Sequence, residues 1–307
     1  MKIDLKAKLD NFFDQFSSTR ELVDDLVRSK SHPQEILILL CSRIDALASN
    51  SAREDEPRQK AFTRFVTIYS GKSKTFESIS IGDLYYELDY HLWLLPGMLE
   101  KAGRIQTFSR LNDPVLKLLL DSEIALTREE AKKLLERIRQ ALRKHFRAAP
   151  GQPLKKSPLA SVREITEVLV DEFRKAHTSA SKSALPKALD PLISSKTLAR
   201  ILYERFRCEV IHGGRVLIDE QRFFAERDPY WKPLYSEFYG SFQLIEFPAQ
   251  FLTSLFSDCI RNYKKRLESS GKLPPGIHFE IFGDDIFSYL DVLDESLLPR
   301  GRMTLPK

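Results

Sequence analysis

Leu202-Tyr203-Glu204-Arg205-Phe206-Arg207-Cys208-Glu209-Val210-Ile211-His212-Gly213-Gly214 reads as the last turns of a helix that starts near Ser195 and stops on the glycine pair. The same near-3.6-residue apolar period recurs upstream. Leu5, Leu9, Phe12, Phe13, Phe16, Leu22, Val23 and Leu26 mark a helix over residues 5–27. Pro33, preceded by Ser31-His32, opens a second through Ile36, Leu37, Leu39, Leu40, Ile44 and Leu47. A polar break at 50–56 precedes a third at 57–69, which Ser70-Gly71 ends. Residues 81–99 form a fourth, rich in aromatics (Tyr85, Tyr86, Tyr90, Trp93), stopped near Pro96-Gly97. Residues 128–147 are strongly amphipathic, with Ala131, Leu134, Leu135, Ile138, Leu142 and Phe146 as the apolar stripe. A Pro/Gly/Lys loop follows, then a helix at 161–177 and a stretch at 178–195 with few apolar anchors. Beyond the glycine pair, residues 215–218 and 242–247 alternate like the two strands of a hairpin. Pro248 starts the last long helix, 249–267, and Ser269-Ser270-Gly271 ends it; the tail past Pro274 is irregular, with a strand at 278–282. The fold class expected is all-α with a small β accessory.

Composition sets the outer bounds. The chain has 307 residues, 42% hydrophobic and 30% charged, enough for a sizeable core without disulfide or metal staples. Few glycines and abundant Phe and Tyr exclude disordered and low-complexity classes. The longest apolar run, residues 36–41, falls far short of the ~20 that a spanning helix needs. Met1-Lys2-Ile3-Asp4-Leu5-Lys6 lacks the apolar core of a secretory signal, so a cytoplasmic protein without a membrane partner is expected. The net charge of +5 is weak evidence by itself. Its distribution says more, since basic residues crowd 128–147 while 278–295 is acidic with no Lys or Arg. That pattern suits a basic surface facing a polyanion, or two segments that pair internally. Cys41, Cys208 and Cys259 form no CxxC, which fits a reducing compartment.

Much chemistry is missing from the sequence. There is no P-loop, dinucleotide fingerprint, HExxH or GxSxG, and six scattered histidines spell no metal site. Asp24-Asp25 and Asp284-Asp285 are sequence neighbours that point to different faces, so they read as solvated pairs. The aromatics at 85–93 could stack bases, but their helical spacing suits a packed core better. Arg207 and His212 remain. Read blandly, His212 is a helix C-terminal residue favoured by the dipole, and Arg207 pairs with Glu204 or Glu209. On a regular α-helix Arg205 lies about 20° from His212, Glu209 about 60° and Arg207 about 140°.

The segment resembles the signature of the HEPN superfamily: an Arg, a residue that is usually polar, and a His after four to six intervening positions at the end of a bundle helix. The flanks Tyr203-Glu204-Arg205-Phe206-Arg207 and Ile211-His212-Gly213-Gly214 look like the form found in many bacterial members. Residues 35–47 are similar to the family's early helix, and Phe247-Pro248-Ala249-Gln250-Phe251-Leu252 to the entry into its closing helix. The resemblance covers 34–69, 196–214 and 247–275. It implies a HEPN-like helical bundle with a small β-hairpin accessory and a helical insertion. Residues 1–105 and 195–275 would form the discontinuous bundle, 106–194 the insertion with the basic helix, and 276–307 an acidic tail.

The resemblance further implies a metal-independent endoribonuclease without cofactors, working as a homodimer in which Arg207 and His212 of two protomers meet in one cleft. RNA supplies its own nucleophile, the 2′-hydroxyl, so the protein needs a proton-transfer group and a cation. Imidazole titrates near neutrality and can move the proton. Guanidinium stays charged and can grip phosphate oxygens. Arg205, Cys208 and Glu209 are supporting candidates, with Cys208 standing where the family often has Asn, Asp or His. Lys132, Arg139, Arg143, Lys144 and Arg147 of the basic helix are the candidate RNA rail. A toxin or antiphage effector with an inhibitory or sensor partner protein is the expected setting. The alternative is a non-catalytic dimeric module that binds RNA, nucleotide or a partner protein, and the blandest reading is a helical scaffold.

Overall fold

The computed structural model describes residues 5–89, 117, 120, 126–146, 159–176, 184–213, 218–236 and 240–274, and 78% of the residues it describes are helical. In chain order come α1 (Leu5–Ser29), α2 (Pro33–Asn50), α3 (Arg58–Tyr69), the single turn α4 (Ser73–Phe76), β1 (Ile79–Ser80) and α5 (Ile81–Asp89). Next are α6 (Arg128–Phe146), β2 (Leu159–Ala160), α7 (Val162–Ala176), α8 (Ala184–Ser195) and α9 (Leu198–Ile201). α9 runs directly into a π-helical stretch, Leu202–Gly213, after which come α10 (Glu220–Ala225), β3 (Tyr230–Ser236), β4 (Gly240–Glu246) and α11 (Ala249–Ser270).

Two apolar clusters organise these elements. In the first, α1, α3 and α11 meet through aromatic rings. Phe13 and Phe65 contact Tyr263 edge-on at 6.0 and 5.3 Å, and Phe16 contacts Phe256 at 6.4 Å. Such edge-to-face pairs favour defined ring positions beyond simple area burial. α2 runs through this cluster, burying Ile36, Leu37, Leu40, Cys41, Ile44 and Leu47, with Leu202 and Phe206 of the π stretch in the same core. The second cluster joins Ile81, Leu84 and Leu88 of α5, the α6 stripe, Ile165 and Leu169 of α7, and Leu189, Leu192 and Ile193 of α8. Of the expected stripe, Ala131, Leu134, Leu135, Ile138 and Leu142 are buried there, and the side chain of Phe146 lies outside the described set. Tyr85 packs in the same core, consistent with a packing role for the aromatic group; Tyr90 and Trp93 lie outside the described residues.

Local signals explain the helix ends. Pro33 sits in the first turn of α2 after His32, whose backbone is left-handed at φ 55°. Gly271 closes α11 at φ 63°, with Lys272 N–H on Leu267 O and Gly271 N–H on Glu268 O, a Schellman ending. Asp24 and Asp25 are the exposed surface pair expected, facing Arg20 and Arg28.

Three readings are corrected. The stretch 178–195, with its few apolar anchors, contains α8: Leu189, Leu192 and Ile193 supply a buried face despite Pro191 inside the helix. The strand Gly240–Glu246 pairs antiparallel with Tyr230–Ser236, a segment that carried no expected strand. Pro233 lies within Tyr230–Ser236 because in a two-stranded ribbon every strand is an edge, where proline is tolerated. The helix expected to run regularly to Ile211 turns π-helical at Leu202. Residues 215–217, the strand proposed at 278–282, Asp284-Asp285 and the acidic tail lie outside the described residues.

Candidate functional site: two arginines pinned to opposite sides of a π-helix

Thr197 caps α9 by accepting the Arg200 N–H at 3.4 Å, which fixes where the helix starts and hence the phase of everything downstream. From Leu202 on, the i→i+5 ladder of a π-helix replaces the i→i+4 ladder. An i→i+5 ladder stacks positions five apart. Positions 207 and 212 therefore fall on one side, one hydrogen-bonded turn apart, instead of the wide separation that a regular α-helix gives them. Position 205 lies across the axis from 207. The premise that favoured Arg205 as the histidine's neighbour fails with the change of register.

Side-chain contacts follow this division. Arg207, only 5% exposed, reaches α2 and donates Nη2–H to Asp45 Oδ2 at 3.0 Å. Its Nη1 faces the Cys208 thiol at 3.8 Å, and its guanidinium sits 5.3 Å from the centroid of the Tyr203 ring. Arg205 points the other way. It donates Nη1–H to Ile245 O at 2.8 Å and Nη2–H to Asp83 of α5. Asp83 is itself buried and also accepts from the Ile245 N–H at 3.2 Å and the Ser80 hydroxyl at 2.5 Å. Phe206, between the two arginines, enters the core and meets Phe247 edge-on at 5.0 Å.

Asp45 is the centre of the site, and it escaped the sequence reading. It continues the row Leu37-Cys41 at helical spacing, so a carboxylate stands on a stripe that is otherwise apolar. A charge there requires a buried partner. It has two: besides Arg207, Arg58 at the start of α3 donates Nη2–H to the same Oδ2 at 2.6 Å. Oδ1 of Asp45 is buried and accepts no hydrogen bond among the described residues. Glu204 does not pair with Arg207, as the bland reading allowed; it accepts from Arg200 at 2.8 Å and Gln59 at 2.7 Å.

The electrostatics agree with this packing. Burial opposes the Arg207 cation, and its bonds to Asp45 and Cys208 outweigh that, raising its pKa above the usual guanidinium value. Burial, then the Asp45 charge, push the Cys41 thiol up to about 12. Tyr203 is raised as well, chiefly by burial.

The other candidates are dispersed. Residues 209–213 belong to the π stretch as backbone, but the side chains of Glu209 and His212 lie outside the described set. On α6, Lys132 and Lys144 are exposed. Arg139 is not: at 14% side-chain exposure it pairs with Glu136 at 2.8 Å. Arg143 sits half-buried, 5.9 Å from the centroid of the Tyr85 ring, and Arg147 lies outside the described residues. Among the described residues no group of three or more metal-ligating side chains comes together, and no helix is long and apolar enough to cross a membrane. No family model matches the chain, and comparisons with curated proteins and with solved structures found no match.

Proposed function

We propose that the chain is a metal-independent endoribonuclease of the HEPN type, acting as a homodimer on RNA, with Arg207 and His212 as its catalytic pair. The observation that carries this reading is the π register of Leu202–Gly213, which brings positions 207 and 212 one turn apart at the end of a helix packed on α2. π-helical geometry is rare, and where it interrupts an α-helix as a single-turn bulge it is frequent at functional sites. The Arg207–Asp45 bond adds support, because it holds a permanent cation in one orientation beside the histidine position.

In the proposed reaction the 2′-oxygen attacks the adjacent phosphorus as its proton passes to a base. The bond from phosphorus to the 5′-oxygen breaks, and that oxygen takes a proton from an acid. The products are a 2′,3′-cyclic phosphate and a 5′-hydroxyl. His212 serves as the proton-transfer group. Arg207 stabilises the negative charge gathering on the non-bridging oxygens.

One observation favours the non-catalytic module instead. Arg207 is buried and its Nη2 is committed to Asp45, so a phosphate could reach it only with local rearrangement. The test is an RNA cleavage assay in EDTA comparing the intact chain with His212→Ala, at folding matched by circular dichroism. Cleavage that leaves cyclic-phosphate ends and disappears in His212→Ala supports the nuclease. Cleavage unchanged by the substitution rejects this site. Salt-sensitive RNA binding without cleavage favours the module. Arg207→Ala is the poorer probe, because removing one member of a buried ion pair costs roughly 3–5 kcal/mol and confounds activity with folding.

A further inference from the structure

Arg58 shares the Asp45 carboxylate with Arg207, yet the two arginines differ sharply in access. The side chain of Arg207 is 6% exposed and that of Arg58 is 61% exposed. A phosphate arriving from solvent therefore meets Arg58 first. Among the described residues Arg58 spends only Nη2 on the protein, so most of its five N–H donors remain for a ligand. Because both guanidiniums bond one oxygen, they are nearest neighbours and share a single carboxylate, which leaves an excess of positive charge at the mouth of the site. Two nearby carboxylates are matched by their own arginines, Glu204 by Arg200 and Glu56 by Arg64, while Glu54 and Asp55 lie exposed in the preceding turn. The first turn of α3 carries no acidic residue, and Lys60 in that turn is exposed.

We infer that Arg58 is the residue through which this site binds a phosphodiester, with Asp45 holding its guanidinium beside buried Arg207. This rests on the ribonuclease reading for the identity of the ligand, RNA, and extends it by naming a binding residue outside the motif. A guanidinium anchored at one end and open at the other presents a pre-oriented fork to two phosphate oxygens. In the alternative role Arg58 merely covers a buried carboxylate, which would leave RNA affinity indifferent to it.

The experiment uses the full chain carrying His212→Ala, so that RNA is not cut, and a fluorescein-labelled single-stranded RNA of mixed sequence. Anisotropy titrations across a salt series give affinity and the slope of log K against log salt. Adding Arg58→Ala should weaken binding several-fold and flatten the slope by roughly 0.7, the value for one lost phosphate contact on a single strand. Arg58→Lys should restore the slope but not all of the affinity, because a point charge lacks the fork. Melting curves confirm that each variant is folded at the assay temperature. Unchanged affinity and slope in Arg58→Ala would overturn the inference, as would an absence of RNA binding by the chain bearing His212→Ala alone. The nuclease reading fails separately, by an absence of EDTA-resistant cleavage in the chain with His212 intact. Loss of binding in Arg58→Ala with no such cleavage would leave Arg58 as the anchor of a binding module.

Discussion

Asp45 and Asp83 are each a buried carboxylate that an arginine of the π stretch reaches from one side. A buried ion pair adds little net stability over a well-packed apolar replacement, but losing one member leaves an uncompensated charge. Asp45→Ala should therefore destabilise the chain by roughly 3–5 kcal/mol, read as a lower midpoint in urea. A loss below about 1 kcal/mol would mean that the pair is solvated in solution. The thiols give a second check at this scale. Cys41 and Cys259 are buried, and burial raises both thiols, whereas Cys208 is partly exposed. Iodoacetamide on the native chain should label Cys208 first, and the other two only on unfolding, as peptide mass mapping can show.

The elements stand or fall on their ends and on the bonds between them. Glu56, in the turn before α3, accepts from Arg64 at 2.9 Å, and Arg64 also donates to Ser51 O at 2.8 Å, tying the α2–α3 turn to the face of α3. The Arg64 bond holds the Glu56 carboxyl down to about 2 from an ordinary 4.5. A depressed carboxylate stabilises the fold fully above its unfolded pKa, and that contribution is lost as pH falls through the folded value. The melting-temperature gap between the wild-type chain and Glu56→Gln should thus be widest above pH 4.5 and shrink toward pH 2. A gap independent of pH would disprove the link. At the far end of α11, Gly271 occupies a φ that other residues adopt only with strain. Gly271→Ala should cost on the order of 1 kcal/mol although nothing crowds its Cβ position, since the penalty is conformational.

At the scale of the whole molecule, the two apolar clusters are joined where Asp83 of α5 meets Arg205 and the Ile245 backbone. Lys196–Glu87 at 2.8 Å and the backbone bonds Ser80 N–H to Lys196 O and Leu198 N–H to Ser78 O reinforce that joint. Asp83→Asn keeps the shape and weakens the clamp. In native-state hydrogen exchange it should speed α6 and α7 amides more than those of α1 and α11, because the second cluster then opens more independently. Equal acceleration everywhere would show one cooperative unit.

Much of this was legible from sequence, because apolar period and end signals are local. The stripes of α1, α2, α6 and α11, the breaks at 50–56 and 70–71, and the stop at Gly271 follow from residues a few positions apart. α8 and the true partner of β4 were not, because Pro191 and Pro233 carry a local signal against structure that packing and edge position override. The Arg-x4-His spacing drew attention to residues 207–212, yet spacing alone could not give the helical register on which their proximity depends. A charge on the apolar row of α2 was the one local clue to Asp45. That Asp45 is met by Arg207 and Arg58, and Asp83 by Arg205, depends on side chains from 13 to 162 positions apart. Those pairings exist only once the chain has folded, and low-dielectric burial then makes each charge demand its partner.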